Sequence, residues 1–207
     1  MKDMGIDLSE YPKGFMLKDG KSVILRPLTK EDGEVLLEFF SNLPEEDRLF
    51  LKHNVTNKEL IDSWVKNINY EKVLPIVVEM DGAIIGEATL HTKRHGWFKD
   101  VGEIRIAIDA RYRRQRLGCR LACEIIYLAI KLGLRKIIAQ VAADQEYEIR
   151  LFELLGFRAE ALLDDMLTDL KGNKRDLIIM VHDIDIMWRK TQTYGIFDLM
   201  TSIREML

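Results

Sequence analysis

Residues 106–118 read Ile106-Ala107-Ile108-Asp109-Ala110-Arg111-Tyr112-Arg113-Arg114-Gln115-Arg116-Leu117-Gly118, and their reading decides the fold. The strand leading in sets Ile104, Ile106 and Ile108 on one face and Glu103, Arg105 and Ala107 on the other, the two-residue period of an extended chain. From Leu117 the apolar spacing changes to that of a helix, which runs to Leu132 and can end at Gly133. The stretch is therefore a strand, a short turn and a helix N-terminus. Such a turn presents unspent backbone N–H groups and the positive end of a helix dipole, which together bind phosphate. Arginines at 111, 113, 114, 116 and 120 add planar donor forks suited to phosphate oxygens, and Gly118 permits close approach. A pyrophosphate-bearing cofactor suits this turn. A solvated charged face and a local nucleic-acid patch are the competing readings.

Outward from this turn, Lys136 to Val141 is a buried-type strand, so strand, helix and strand predict a parallel pair. Gln145 to Leu155 has helical spacing and stops at Gly156. Ala159 to Leu170 and Asp176 to Val181 flank Lys171-Gly172-Asn173 as a long hairpin. Upstream, Ser22 to Arg26 is a short strand stopped by Pro27, and Thr29 to Asp32 marks a helix start with the spacing of a capping box. Pro44 to Asp47 opens a second helix and Asn57 to Asn69 reads as a third. Pro75 to Met80 and Ala83 to His91 pair across the tight turn Asp81-Gly82. The expectation is a mixed α/β domain over residues 1–183, with helices against both faces of a sheet. Residues 184–207 are amphipathic and read as a helical extension that packs on the domain or joins two copies into a homodimer.

The composition is that of an ordinary globular chain, 47% apolar and 31% charged. A net charge of −3 gives no general attraction to nucleic acid or anionic membrane. No apolar run approaches a membrane span, and the polar start has no signal-peptide core. Cys119 and Cys123 stand on one helix face and suit packing in a reducing cytoplasm. His91 and His95 have no third ligand nearby in sequence, so no metal is expected.

The quoted stretch resembles the acetyl-CoA motif of the GNAT superfamily of N-acetyltransferases, in which a strand and short loop lead through Gln/Arg-x-x-Gly-x-Gly/Ala into a helix. Arg113 stands at the Gln/Arg and Gly118 at the last glycine, whereas Arg116 occupies the place of the first glycine. Asp144-Gln145 through Leu151-Phe152-Glu153-Leu154-Leu155-Gly156-Phe157 resembles the family's next helix and turn, and Leu25-Arg26-Pro27-Leu28 with Glu31-Asp32 resembles its opening. The likeness spans roughly residues 20–181. It implies a mostly antiparallel sheet with one splayed parallel pair, and acetyl-CoA as cosubstrate without a metal. It also implies transfer to a primary amine, small or on a protein, by direct attack.

By the same resemblance, the backbones of Ile106, Ala107 and Ile108 line the pantetheine arm. The amides of Arg113, Arg114, Gln115, Arg116, Leu117, Gly118 and Cys119 hold the pyrophosphate, with Gln145 and Phe152 nearby. Glu103 matches a position where the family often carries its general base. Phe152 replaces a tyrosine that usually protonates the departing thiolate, which leaves Tyr147, a water or unassisted departure. Leu43 to Phe50 resembles the start of bacterial members that modify lysine or small amines, and Glu45, Glu46 and Asp47 there suit a cationic acceptor or merely a helix first turn. A non-catalytic acetyl-CoA-binding sensor is the alternative that Phe152 and Arg116 leave open.

Overall fold

The structure, a computed structural model, describes residues 6–48, 51, 53–93, 95–169 and 172–185. Eight strands form one sheet: β1 (Lys13–Met16), β2 (Ser22–Pro27), β3 (Val73–Met80), β4 (Ala83–His91), β5 (Val101–Ile108), β6 (Lys136–Ala142), β7 (Arg158–Thr168) and β8 (Lys174–Asp183). Their order across the sheet is β1-β2-β3-β4-β5-β6-β8-β7. Every neighbouring pair is antiparallel except β5–β6. The helices are α1 (Gly33–Asn42), α2 (Glu45–Arg48), α3 (Lys58–Lys66), α4 (Leu117–Lys131) and α5 (Glu146–Leu154). The expected mixed sheet, with its single parallel pair, is present.

The two faces carry separate cores. Alternation on β5 sends Ile104 to the face covered by α4, where it joins Ala88, Leu90, Leu121 and Ile125. Ala107 goes to the opposite face and packs with Val77, Leu36, Phe40 and Ile61 beneath α1 and α3. α4 is apolar on more than one side because it lies over β4 and β5, and Leu121, Ile125 and Leu128 are fully buried. The Asp81-Gly82 hairpin turn forms as its sequence demands, with φ of 52° and 82° at the two central residues.

Some expectations need correction. β1 was not anticipated: four residues with a glycine are too few for a readable alternation, and pairing with β2 makes the strand. The capping box at Thr29 opens a 3-10 turn, Lys30–Asp32, before α1 begins at Gly33. The hairpin near Gly172 inserts β8 between β6 and β7, and its strands run Arg158–Thr168 and Lys174–Asp183. Of the expected helical, dimer-forming extension 184–207, residues 186–207 lie outside the described residues. No helix among the described residues is long and apolar enough to cross a membrane.

Asp32 ties α1 to the sheet. Its carboxylate accepts both arms of the Arg26 fork, at 2.7 and 2.8 Å, and the Thr29 N–H at 2.6 Å. Burial alone raises the Asp32 pKa, but Arg26 and Thr29 outweigh it and hold the carboxyl below its ordinary 3.8. Asp32→Ala leaves the part-buried Arg26 without this partner, and the expected loss is about 3 kcal/mol in urea unfolding at neutral pH. The stabilisation is fully present above the ordinary value and disappears as pH falls through the lowered one. The gap between wild type and variant therefore closes in acid.

Candidate active site

β5 and β6 are hydrogen-bonded neighbours only from Val101↔Lys136 to Ile104↔Ala139. Beyond that they part. β5 stays paired with β4 through Gly86↔Ile108, and β6 stays paired with β8 through Ala142↔Leu177. Asp109 donates its N–H to the Ile85 carbonyl at 3.1 Å, so the alternation along β5 turns Ala107 and Arg105 toward β4 as well. Ile106 and Ile108 therefore aim their backbone N–H and C=O groups into the gap. Unpaired ladder groups of this kind call for a partner.

At the end of the gap lies the basic turn. A 3-10 turn, Ala110–Tyr112, follows Asp109, whose side chain caps it by accepting from Arg111 N–H at 2.9 Å. Arg114 and Arg116 are both left-handed, with φ of 60° and 66°. Arg116 then hands over to the right-handed start of α4 at Leu117. Alternating hand in this way turns successive N–H groups toward one concavity, an anion-binding nest. Among the described residues, the N–H groups of Leu117, Gly118 and Cys119 donate to no backbone carbonyl, as a helix first turn requires. The Arg120 Nε, buried over the Phe15 ring, also lacks an acceptor.

These unspent donors match an anionic group bound at the α4 N-terminus, and the free β5 edge matches an extended amide-bearing arm. Gly118 matters for packing as well as for approach. A Cβ there would stand 3.0 Å from Ile108 Cδ1 and 3.3 Å from Leu151 Cδ2, so the residue lets α4 close onto β5 and α5 together.

Several expected site residues are engaged elsewhere. The Arg113 N–H donates to Ala110 O at 3.4 Å, and its guanidinium is ion-paired with Asp47 of α2. Gln115 Oε1 accepts from Asp19 N–H at 3.2 Å. Gln145 caps the end of β6 by accepting from Ala142 N–H at 3.2 Å. Tyr147 is exposed and, with Gln145, lines an open cleft that reaches from Asp47 to Asp144 and Arg175. Phe152 is 7% exposed and packs edge-on against Phe157, so its ring belongs to the core. Leu117 and Cys119 are buried too, and only their backbones are placed to meet a ligand. Cys119 and Cys123 are free thiols. Among the described residues, His, Cys, Asp and Glu form no group arranged to hold a metal ion.

A match to the family model for GNAT acetyltransferases covers residues 37–157, more than half of the chain. The chain belongs to the GNAT acetyltransferase family. Membership makes this domain an acyltransferase, with acetyl transfer as the family chemistry. Solved structures share its fold. An N-acetyltransferase from Staphylococcus aureus superposes with a TM-score of 0.67 at 21% identity, covering 78% of this chain and 98% of that one. The GNAT domain of S. lividans PAT gives 0.70 at 17% identity, covering 84% and 100%. A putative acetyltransferase, YncA, from Salmonella typhimurium was solved with its cofactor acetyl-CoA and gives 0.67 at 18% identity, covering 78% and 94%.

The acetyltransferase domain also contains a carboxylate that the sequence reading passed over. Glu87 stands opposite Ala107 on β4, on the face beneath α1 and α3, and is 9% exposed. Its side chain has no hydrogen bond to a described residue, and its pKa is raised by burial, against a pull from Arg105, to about 8. A glutamate inside the run Ile84-Ile85-Gly86-Glu87-Ala88 was the one available signal. Glu103 lies on the same face, further down β5, and accepts from Arg105 Nε at 2.9 Å.

The left-handed Arg116 predicts that Arg116→Gly leaves thermal stability within about 1 kcal/mol of wild type, since glycine adopts that φ without strain while loosening the unfolded chain. Glu87→Gln removes a buried charge. Because the folded pKa is raised, wild type loses stability as pH climbs from the ordinary 4.5 to about 8. The variant is expected to melt on the order of 5 °C above wild type at high pH and close to it in mild acid, in calorimetric scans.

Proposed function

We propose that this chain is an N-acetyltransferase that moves an acetyl group from acetyl-CoA to a primary amine, on a small molecule or on a protein lysine or N-terminus. The observation that carries the reading is the free β5 edge leading through the basic turn to a helix N-terminus with unspent donors. In this reading the backbones of Ile106 and Ile108 pair with the pantetheine arm as an added strand, and Ala107 lies between them. The N–H groups from Arg114 to Cys119 hold the pyrophosphate, with Arg113 bracing the turn against α2. Acetyl-CoA, when bound, supplies an activated thioester. A carboxylate on the face beneath α1 and α3 then takes the proton of the acceptor ammonium, and Glu103 is the residue that the family pattern marks.

The acceptor side is acidic. Asp144, Glu146 and Glu148 line the cleft near Tyr147, with Arg175 and the Arg113-bound Asp47. That balance supports a cationic acceptor. Phe152, carrying no hydroxyl, supports the alternative of a non-catalytic acetyl-CoA sensor. Arg116 supports it less, because its backbone is left-handed, the conformation glycine adopts without strain.

Titration calorimetry with acetyl-CoA and a thiol-release assay on an amine panel separate the two readings. Saturable binding with CoA released on at least one amine is expected; binding with no release beyond hydrolysis leaves the sensor, and no binding refutes both. Gly118→Val is expected to weaken acetyl-CoA binding at least about tenfold, because its branched side chain forces α4 away from Ile108 and Leu151. Arg116→Gly is expected to bind within about threefold of wild type, a free-energy change under about 1 kcal/mol.

A further inference from the structure

We infer that the base for the acceptor amine is Glu87 on β4, with Glu103 acting as a positioning residue through Arg105. This rests on the acetyl transfer proposed above and names a residue that the family pattern does not mark.

Register places the two carboxylates differently. Glu87 is opposite Ala107, level with the β5 segment whose edge is free, so its backbone lies two strand spacings, about 10 Å, from an arm paired along that edge. Glu103 is opposite Ile138, where β5 and β6 are still paired. It lies four residues below Ala107, roughly 13 Å along the strand. Its Oε1 is engaged by Arg105 at 2.9 Å. Glu87 makes no hydrogen bond to a described residue.

The surroundings of Glu87 are sparse in charge. His91 shares its strand face, and Arg105 and Glu103 face it from β5. β3 brings Val77, and α1 and α3 bring Leu36, Phe40 and Ile61. One strand beyond, Arg26 is engaged by Asp32 and Glu79. Among the described residues Arg105 is the charge that acts on Glu87, and burial outweighs it, which leaves a carboxylate basic enough to take a proton near neutral pH.

The step balances. One ammonium proton passes to the Glu87 carboxylate, making a neutral acid. The freed nitrogen lone pair forms a C–N bond to the thioester carbonyl carbon. The C–S bond breaks with its electron pair on sulfur, and the second nitrogen proton neutralises the thiolate. Glu87 then returns its proton to solvent.

The test is kcat for CoA release from acetyl-CoA between about pH 5 and about pH 10. The acceptors are a lysine peptide, a peptide with a free α-amine, spermidine and ethanolamine. Wild type is expected to show a rising limb near 8. Glu87→Gln is expected to lose that limb and at least about 100-fold in kcat while binding acetyl-CoA as wild type does, and Glu87→Asp to restore the limb in part. Glu103→Gln is expected to keep the limb and move it to lower pH, because Arg105 is released to favour the Glu87 carboxylate. A limb that survives Glu87→Gln, or disappears in Glu103→Gln, overturns the assignment alone. Parallel loss of acetyl-CoA affinity and kcat in both Glu87 variants makes the side chain a structural prop and overturns it as well. No release by wild type on any amine overturns the acetyl-transfer reading and this one with it.

Discussion

The parting of two parallel strands after Ile104 and Ala139 is the constraint on which the rest depends. Each strand keeps its outer partner, β5 with β4 and β6 with β8, so the sheet divides without losing either half. Twist drives the halves apart, since neighbouring strands rotate by roughly 20° and the rotation accumulates across a sheet. A bulge sharpens it. Val78 pairs with Gly86 and Glu79 with Ile84, which leaves Ile85 as an extra residue on β4, and bulges raise local twist beside functional sites. The same Ile85 carbonyl accepts Asp109 N–H and so fixes where β5 ends and the basic turn begins.

The turn then shows how a departure from a motif can preserve its geometry. A left-handed backbone costs an L-residue about 1 kcal/mol or more, which is why glycine suits the place of Arg116. Arginine accepts that cost while adding positive charge beside a phosphate-type site. Packing of Gly118 against both Ile108 and Leu151 shows the second constraint on the motif: α4 must begin close to β5 for its N-terminus to face the gap. The first glycine position is thus set by φ and the second by space.

Much of this was legible in the sequence, and the boundary is physical. Ile104, Ile106 and Ile108 announce both the strand and its buried face, because a two-residue period is a local property. Leu117 to Gly133 announces α4 for the same reason. β1 is too short to carry a period, and β8 lying between β6 and β7 is a matter of long-range pairing. Arg113 and Gln115 read from sequence as amide donors to the pyrophosphate, but the contacts of their side chains with Asp47 and Asp19, distant along the chain, are long-range pairings that no local pattern shows. Glu87 was visible as a charge in an apolar run, but its burial and lack of hydrogen bonds arise only when α1 and α3 cover that face.

Phe152 is the remaining departure: its ring, packed against Phe157, carries no hydroxyl and so supplies no proton on that side of the proposed reaction. The consequence is modest. A thiol titrates near 8.5, so a thiolate leaves at neutral pH far more readily than an amine or alkoxide and needs no acid to depart. The demanding proton transfer is the one from the acceptor, since a lysine-type ammonium titrates about two units higher. Selective cost therefore falls on the base side of the gap. There the fold keeps a buried carboxylate that weakens its own stability as pH rises, the pattern expected where function and stability compete.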